Sequence, residues 1–154
     1  MDLSLILRPE AVKVVTSASS KKRLLQEFGD LAASAYGLKA LKIVEALQDR
    51  ENLGPTGVGH GVALPHARLE ALQSVVGAFI LLEKPVDFNA VDRQPVDIAF
   101  ALFAPENAGV EHLKALAQVS RRLREPAICA KLRANQDTTT LFTILTETDK
   151  VQAA

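Results

Sequence analysis

The sequence has a single cysteine, no tryptophan, no excess of either charge and no long apolar run. With Cys129 alone, no intrachain disulfide can form, which excludes a disulfide-stapled scaffold and points to a reducing compartment, the cytoplasm. Its neighbours Ile128, Ala130 and Leu132 make that thiol a packing group rather than a nucleophile. The 18 basic and 18 acidic residues cancel, so the basic excess that nucleic-acid binding usually demands is missing. The local run Arg121, Arg122 and Arg124 reads as a solvated helix face. No stretch of about 20 apolar residues is available to span a membrane, and Met1-Asp2-Leu3-Ser4 lacks the basic start and apolar stretch of a secretory signal. Aromatic residues make up only 5% of the chain, so the core must rest on Leu, Val, Ile and Ala.

What is present suits one globular domain over residues 1–154. Hydrophobic residues make up 48% and charged residues 23%, and a chain of this length buries a core without metal or disulfide. Helical and strand periods alternate, which predicts an α/β fold. Ala11 to Thr16 reads as a first strand. Ser19 and Ser20 offer hydroxyl caps to a helix whose apolar face is Leu24, Phe28, Leu31 and Ala35, with Gly37 as its stop. A second helix, Leu38 to Arg50, carries Leu41, Val44 and Leu47. Val75–Leu82 and Val96–Phe103 are near-continuous apolar runs, the signature of strands buried on both faces. Lys84-Pro85 reads as loop, followed by a short strand near Val86 to Phe88. A third helix is expected over Val110 to Arg124 with Leu113, Leu116, Ala117 and Leu123 inward. A fourth starts at Pro126, and a last spans Thr138 to Thr146.

Between the second helix and the first apolar run, the period breaks. Residues 52–61 contain Gly54, Gly57, Gly59 and Gly61, a backbone suited to tight turns or close approach. Val62-Ala63-Leu64 follows, and Pro65 stops it directly before His66. Of the three histidines, 60, 66 and 112, His66 is thus displayed at a strand end, where α/β domains place ligands. Metal binding is disfavoured, because His60 and His66 lack the i, i+4 spacing of a helical metal pair. Hydrolysis is disfavoured too, because no nucleophile elbow accompanies them. Phosphoryl acceptance fits better: a neutral imidazole nitrogen is nucleophilic near pH 7. The reaction needs mainly positioning and hydrogen-bond donors. Glycine-rich backbone N–H groups, Arg50 and His112 near a helix start are candidate donors. Each has a plain rival on these grounds alone. Arg50 is equally an exposed helix terminus, His112 equally fills space, and His60 is better read as support for the turn.

The run Gly57-Val58-Gly59-His60-Gly61-Val62-Ala63-Leu64-Pro65-His66-Ala67-Arg68 resembles the phosphorylation-site signature of the type 2 enzyme IIA domains of the phosphotransferase system. These include the mannitol, fructose and nitrogen-related IIA proteins. Ser20-Lys21-Lys22-Arg23-Leu24-Leu25, Leu47 to Gly54 and Phe88 to Asp97 are similar to the nitrogen-related branch, and Glu111-His112-Leu113 to the family's second histidine segment. The resemblance covers about residues 3 to 148. It implies a mixed β-sheet flanked by helices, as in mannitol-type enzyme IIA, and no cofactor. It implies phosphorylation of His66 on Nε2, with His112 and Arg50 beside the phosphoryl group and Gly57, Gly59, His60, Gly61 and Pro65 in the supporting loop. The donor it implies is a phosphorylated HPr-like carrier, NPr in the nitrogen branch, fed by enzyme I. The implied output is regulation of a transporter or sensor kinase in potassium or nitrogen control. The alternative within the family is a sugar-specific IIA that passes phosphate to a fructose or mannitol IIB. One departure stands out: Ala67 replaces a glycine common after the active histidine. If that position needs a positive φ, alanine is strained there and the loop must differ.

Overall fold

The computed structural model describes residues 2–147; the ends of the expected domain, Met1 and residues 148–154, lie outside them. After a short 3-10 turn at Leu3–Leu5, the elements run β1 (Leu7–Val15), α1 (Lys21–Tyr36), α2 (Ala40–Leu53), β2 (Gly57–Gly59), β3 (Val62–Ala63) and β4 (His66–Leu69). They continue with β5 (Val76–Val86), β6 (Val96–Pro105), α3 (Val110–Leu123), α4 (Pro126–Arg133) and α5 (Thr138–Thr146). The strands form one six-stranded sheet in the order β1-β5-β6-β3-β2, with β4 also on β6. β5 and β6 pair antiparallel, whereas β1 on β5 and both β3 and β4 on β6 are parallel. The expected mixed sheet with flanking helices is the one observed.

The two apolar runs become the central strands. Every position of β6 except Asp97 is buried, so both faces of this strand are covered. Helices α1 and α2 pack on each other and against β1, β5 and β4, while α3, α4 and α5 pack against β6, β5 and β1. The few aromatics are concentrated inside: Phe28, Phe79, Phe88, Phe100 and Phe103 are fully buried, and Phe79 meets Phe100 edge-on. Cys129 is buried and its thiol donates to the Leu123 carbonyl at 3.1 Å; burial pushes its pKa up, as befits a packing group.

Local signals set the helix ends. Ser20 caps α1 by accepting the Arg23 N–H, and Gly37 closes it in the left-handed conformation at φ 69°. Asp137 caps α5 by accepting from Thr140. Helix α2 runs on past Arg50 to Leu53, so Arg50 sits in its last turn and not at its end.

Several expectations are corrected. Strand β1 begins at Leu7, four residues before the expected start. Lys84 and Pro85 belong to β5, which continues to Val86 across a register shift after Leu81; proline is tolerated in a strand at such an irregularity. Leu41 is 70% exposed, and the inward face of α2 is Ile43, Leu47 and Glu51. On α3, Leu113 is 66% exposed, and the inward face is His112, Ala115, Val119, Arg122 and Leu123. A one-residue offset rotates a helix by about 100°, and here polar residues occupy the buried stripe. Arg122 therefore leaves the solvated run. It is buried, and its Nη2 donates to the Ile144 carbonyl at 2.6 Å, while Arg121 and Arg124 stay exposed.

Candidate active site: His66 between Arg50 and His112

β3 and β4 run one after the other along the same edge of β6, broken only at Leu64-Pro65. The Pro65 carbonyl takes the Leu102 N–H at 2.9 Å, and His66 opens β4 opposite Leu102. The imidazole thus leaves the sheet at a fixed register, half-buried.

Two hydrogen bonds define its state. Nδ1 lies 2.9 Å from the Leu64 carbonyl oxygen; a carbonyl only accepts, so Nδ1 carries the proton. The Nε–H of Arg50 donates to Nε2 at 3.2 Å, so Nε2 presents its lone pair. Both bonds select the same neutral tautomer with Nε2 as the nucleophilic atom. Arg50 is itself held by a bond from Nη1 to the Gly54 carbonyl at 2.9 Å. Burial lowers the His66 pKa below its ordinary value; the Leu64 carbonyl opposes this, the Arg50 charge adds to it, and Glu51 opposes it.

His112 reaches the same place from α3. Its ring centre is 5.6 Å from that of His66, and the two rings meet edge-on at 71°. The residue is buried and its Nε2 has no hydrogen-bond partner among the described residues. A buried polar atom left unpaired costs about 1–3 kcal/mol, a demand that an oxygen placed on His66 would satisfy. Burial lowers the His112 pKa, and the neighbouring His66 and Arg68 lower it further. Arg68, two residues beyond His66, is exposed, and its Nη1 donates to the Glu106 carbonyl at 3.0 Å.

His60 is elsewhere. It forms the tip of the β2–β3 hairpin at φ 57°. Its N–H donates to Asp92 at 2.9 Å and its carbonyl accepts from Arg133 at 2.8 Å. Val62 stands opposite Ile98 and His66 opposite Leu102, a separation of about 13 Å along β6. The glycines serve the hairpin as well. A side chain on Gly57 would meet Ala90 at 2.7 Å, and one on Gly61, at φ 78°, would meet Arg133 at 2.6 Å. Their close approaches are to protein atoms, in place of the phosphate cradle the glycine run suggests. Ala67 lies in regular extended pairing with Phe103 and is not among the residues at positive φ, so replacing glycine there introduces no strain.

One neighbour was not legible from sequence. Glu51, beside Arg50, is a buried carboxylate that pairs with Lys21 Nζ at 2.8 Å and accepts from Thr56. Its spacing of four from Leu47 and eight from Ile43 puts it on the inward face of α2, the one available signal. Among the described residues, no group of three or more His, Cys, Asp or Glu is placed to hold a metal ion, and no helix is long and apolar enough to cross a membrane.

Residues 5–148 match the family model of the phosphoenolpyruvate-dependent sugar phosphotransferase system, EIIA 2. The chain belongs to this family. It is 43% identical over 145 residues to the nitrogen regulatory protein of Bradyrhizobium diazoefficiens, covering 94% of this chain and 95% of that one. The crystal structure of nitrogen regulatory protein IIA-Ntr from Neisseria meningitidis superposes with a TM-score of 0.85 at 36% identity, over 94% of this chain and 99% of the other. The mannitol IIA of Escherichia coli shares the fold, with a TM-score of 0.75 at 20% identity over 90% of this chain and 97% of that one. In this EIIA domain the signature run from Gly57 to Arg68 therefore resolves into a hairpin that carries the chain back to β6, followed by a proline that sets the histidine.

The two depressed histidines have a measurable consequence for the EIIA domain. In the unfolded chain each binds a proton at about 6.5; in the folded chain each binds it at lower pH. Between those values the unfolded state holds more protons, so stability falls as pH drops through 6.5 and is fully retained above it. The slope is at most about 1.4 kcal/mol per pH unit for each ring. Thermal unfolding from pH 8 to 5.5 is expected to show the midpoint falling below about pH 6.5 in wild type. The fall is expected to be shallower in the His66→Gln/His112→Gln variant. A slope equal in the two proteins would contradict this origin.

Proposed function

We propose that this chain is a phosphocarrier of the nitrogen branch of the phosphotransferase system, working in the cytoplasm. In this reading His66 Nε2 accepts a phosphoryl group from the phosphohistidine of an NPr-type carrier fed by enzyme I. Partner proteins such as a transporter or sensor kinase then respond to whether the group is present. The observation that carries the proposal is the doubly fixed His66 tautomer, with Nδ1–H on Leu64 and the Nε2 lone pair facing Arg50.

The chemistry follows from that state. The Nε2 lone pair forms a bond to phosphorus as the nitrogen–phosphorus bond in the carrier breaks, and that electron pair returns to the carrier's ring. The His66 ring gains positive character, and the Leu64 carbonyl on Nδ1–H stabilises it. Arg50 releases the lone pair and turns its N–H groups to the phosphoryl oxygens, the match a guanidinium fork makes best. His112, in its Nε2–H tautomer, donates to another oxygen and gains the partner it lacks. No proton has to leave His66. A protein donor suits the rim of the site: Leu53, one turn beyond Arg50, is 84% exposed, and Val110 and Leu113, on either side of His112, are 62% and 66% exposed. Apolar groups left in solvent around a charged reacting centre favour a macromolecular partner.

The nitrogen branch is favoured over a sugar-specific IIA by 43% identity to a nitrogen regulatory protein against 29% to the fructose-specific EIIA component of Haloferax volcanii. The test is a donor and acceptor competition. Phosphorylated NPr is expected to charge this chain with a kcat/KM about tenfold or more above that of phosphorylated HPr, a docking preference of at least about 1.4 kcal/mol. Equal rates from both carriers, with onward transfer to a fructose or mannitol IIB, would move the chain to the sugar branch.

A further inference from the structure

The buried carboxylate of Glu51 touches neither ring of the histidine pair, yet both ends of His66 trace back to it. On one side, Glu51 Oε1 accepts the Thr56 N–H at 3.1 Å, and Oε2 accepts the Thr56 hydroxyl. The Thr56 carbonyl takes the Leu64 N–H at 3.0 Å, and the Leu64 carbonyl takes His66 Nδ1–H at 2.9 Å. On the other side, the residue before Glu51 is Arg50, whose Nε–H faces Nε2, and whose Nη1 bonds the Gly54 carbonyl inside the same loop. Glu51 thus ties the last turn of α2 to Thr56; Arg50 in that turn presents one donor to Nε2, and Thr56, through Leu64, sets one acceptor for Nδ1.

The tie is anchored from outside. Lys21, the first residue of α1, meets Glu51 Oε1 at 2.8 Å, with side-chain exposures of 18% and 2%. The Lys21 ammonium also lies 4.7 Å from the centre of the fully buried Phe88 ring, a cation–π contact that fixes it in place. With three donors on two oxygens, the carboxylate has little freedom to rotate, and a buried carboxylate is kept only where it is so paired. Its cost is repaid in geometry: a short loop without regular structure is held to a single shape beside the reacting atom.

We propose that Glu51, acting through Thr56 and anchored by Lys21, is the positioning residue that selects the Nδ1–H tautomer of His66 and aims Arg50 at Nε2. This deepens the phosphocarrier reading and rests on it for its kinetic consequence, although the tautomer itself is a property of the uncharged protein.

The test has two readouts. Long-range proton–nitrogen NMR of the uncharged protein at pH 7.5 reports which ring nitrogen of His66 carries the proton. Wild type is expected to show Nδ1–H alone. Glu51→Gln and Thr56→Val are expected to show a substantial share of Nε2–H, and Thr56→Ser, which keeps the hydroxyl, is expected to restore the wild-type spectrum. Single-turnover phosphorylation by phosphorylated NPr is expected to slow about tenfold in Glu51→Gln and Thr56→Val, the scale of a small misplacement at a reacting atom, with the carrier concentration for half-maximal rate unchanged. Thr56→Val retains the backbone bond to Glu51 and so provides a folded variant if Glu51→Gln does not fold. A pure Nδ1–H tautomer in folded Thr56→Val and Glu51→Gln would overturn the proposal, whatever happens to the rate. If wild type takes no phosphoryl group at all, the phosphocarrier reading falls while the tautomer comparison still decides the role of Glu51.

Discussion

His66→Ala is expected to abolish phosphorylation of this chain, leaving no label above background when enzyme I, the carrier and labelled phosphoenolpyruvate are supplied. The completeness of the loss is the informative part, because two other histidines remain. His112 is 5.6 Å away, and burial holds its pKa below the ordinary imidazole value, so its ring is chemically able to react. It is also buried, and no hydrogen bond orients Nε2 among the described residues, so a donor protein cannot bring phosphorus into line with it. His60 is exposed, but it caps the hairpin that leads into Val62, whose partner Ile98 lies about 13 Å along β6 from Leu102, the partner of His66. Only His66 combines access, a fixed lone pair and an adjacent cation. Its removal costs the fold about 2 kcal/mol. The half-buried ring gives up hydrogen bonds to Leu64 and Arg50, each worth about 1 kcal/mol net. A folded His66→Ala that still takes an acid-labile, base-stable label would show that a different residue is the acceptor.

How much of this is legible in the sequence differs between elements for physical reasons. β5 and β6 were readable because they are buried on both faces, so their sequence is apolar without interruption. α1 was readable because Ser20 and Gly37 mark its ends by local chemistry that needs no tertiary context. His66 was conspicuous because the glycine run and Pro65 forbid a helix and break the strand beside it. In α3 the apolar period falls one residue out of phase, since two of its inward positions are His112 and Arg122 while Leu113 faces solvent. A periodicity count assumes that buried means apolar, and α3 departs from that on both counts: it turns His112 inward beside His66 and leaves Leu113 in solvent.

The glycines illustrate a different limit. A glycine run states that something comes close or that the backbone turns, without stating which. At Gly57 the close neighbour is Ala90, and at Gly61 it is the Arg133–Asp97 ion pair; both depend on segments more than thirty residues away in sequence. Register is likewise non-local. That His66 stands opposite Leu102 follows from β3 and β4 sharing one edge of β6, a pairing of four residues at most in each strand, too short to leave a periodic trace. Glu51 was hidden for a third reason. A carboxylate in a helix that also carries Glu45 and Asp49 looks like surface charge until Lys21 and Thr56 are placed around it.

Arg50 is the residue whose replacement separates chemistry from architecture. Arg50→Met keeps the aliphatic stem and removes the charge and the N–H groups. Loss of a preorganised donor to a transferring phosphoryl group costs on the order of 10²–10³ in rate, and the single-turnover rate from phosphorylated carrier is expected to fall by about that factor. The His66 pKa is expected to rise at the same time, because the guanidinium charge is one of the causes holding it down. With a higher pKa, more of the ring is protonated at a given acidity, so the acid limb of the rate profile moves to higher pH. Both shifts are read on one sample, by proton NMR of the His66 ring and by rapid-quench phosphorylation across pH 5 to 8. Arg50→Lys is expected to recover the favourable charge in the last turn of α2 and only a small part of the rate. An ammonium cannot bond the Gly54 carbonyl and still present a fixed donor to Nε2 as the guanidinium does. A rate within twofold of wild type in Arg50→Met would show that the hydrogen bond to Nε2 orients the resting ring and takes no part in the transfer.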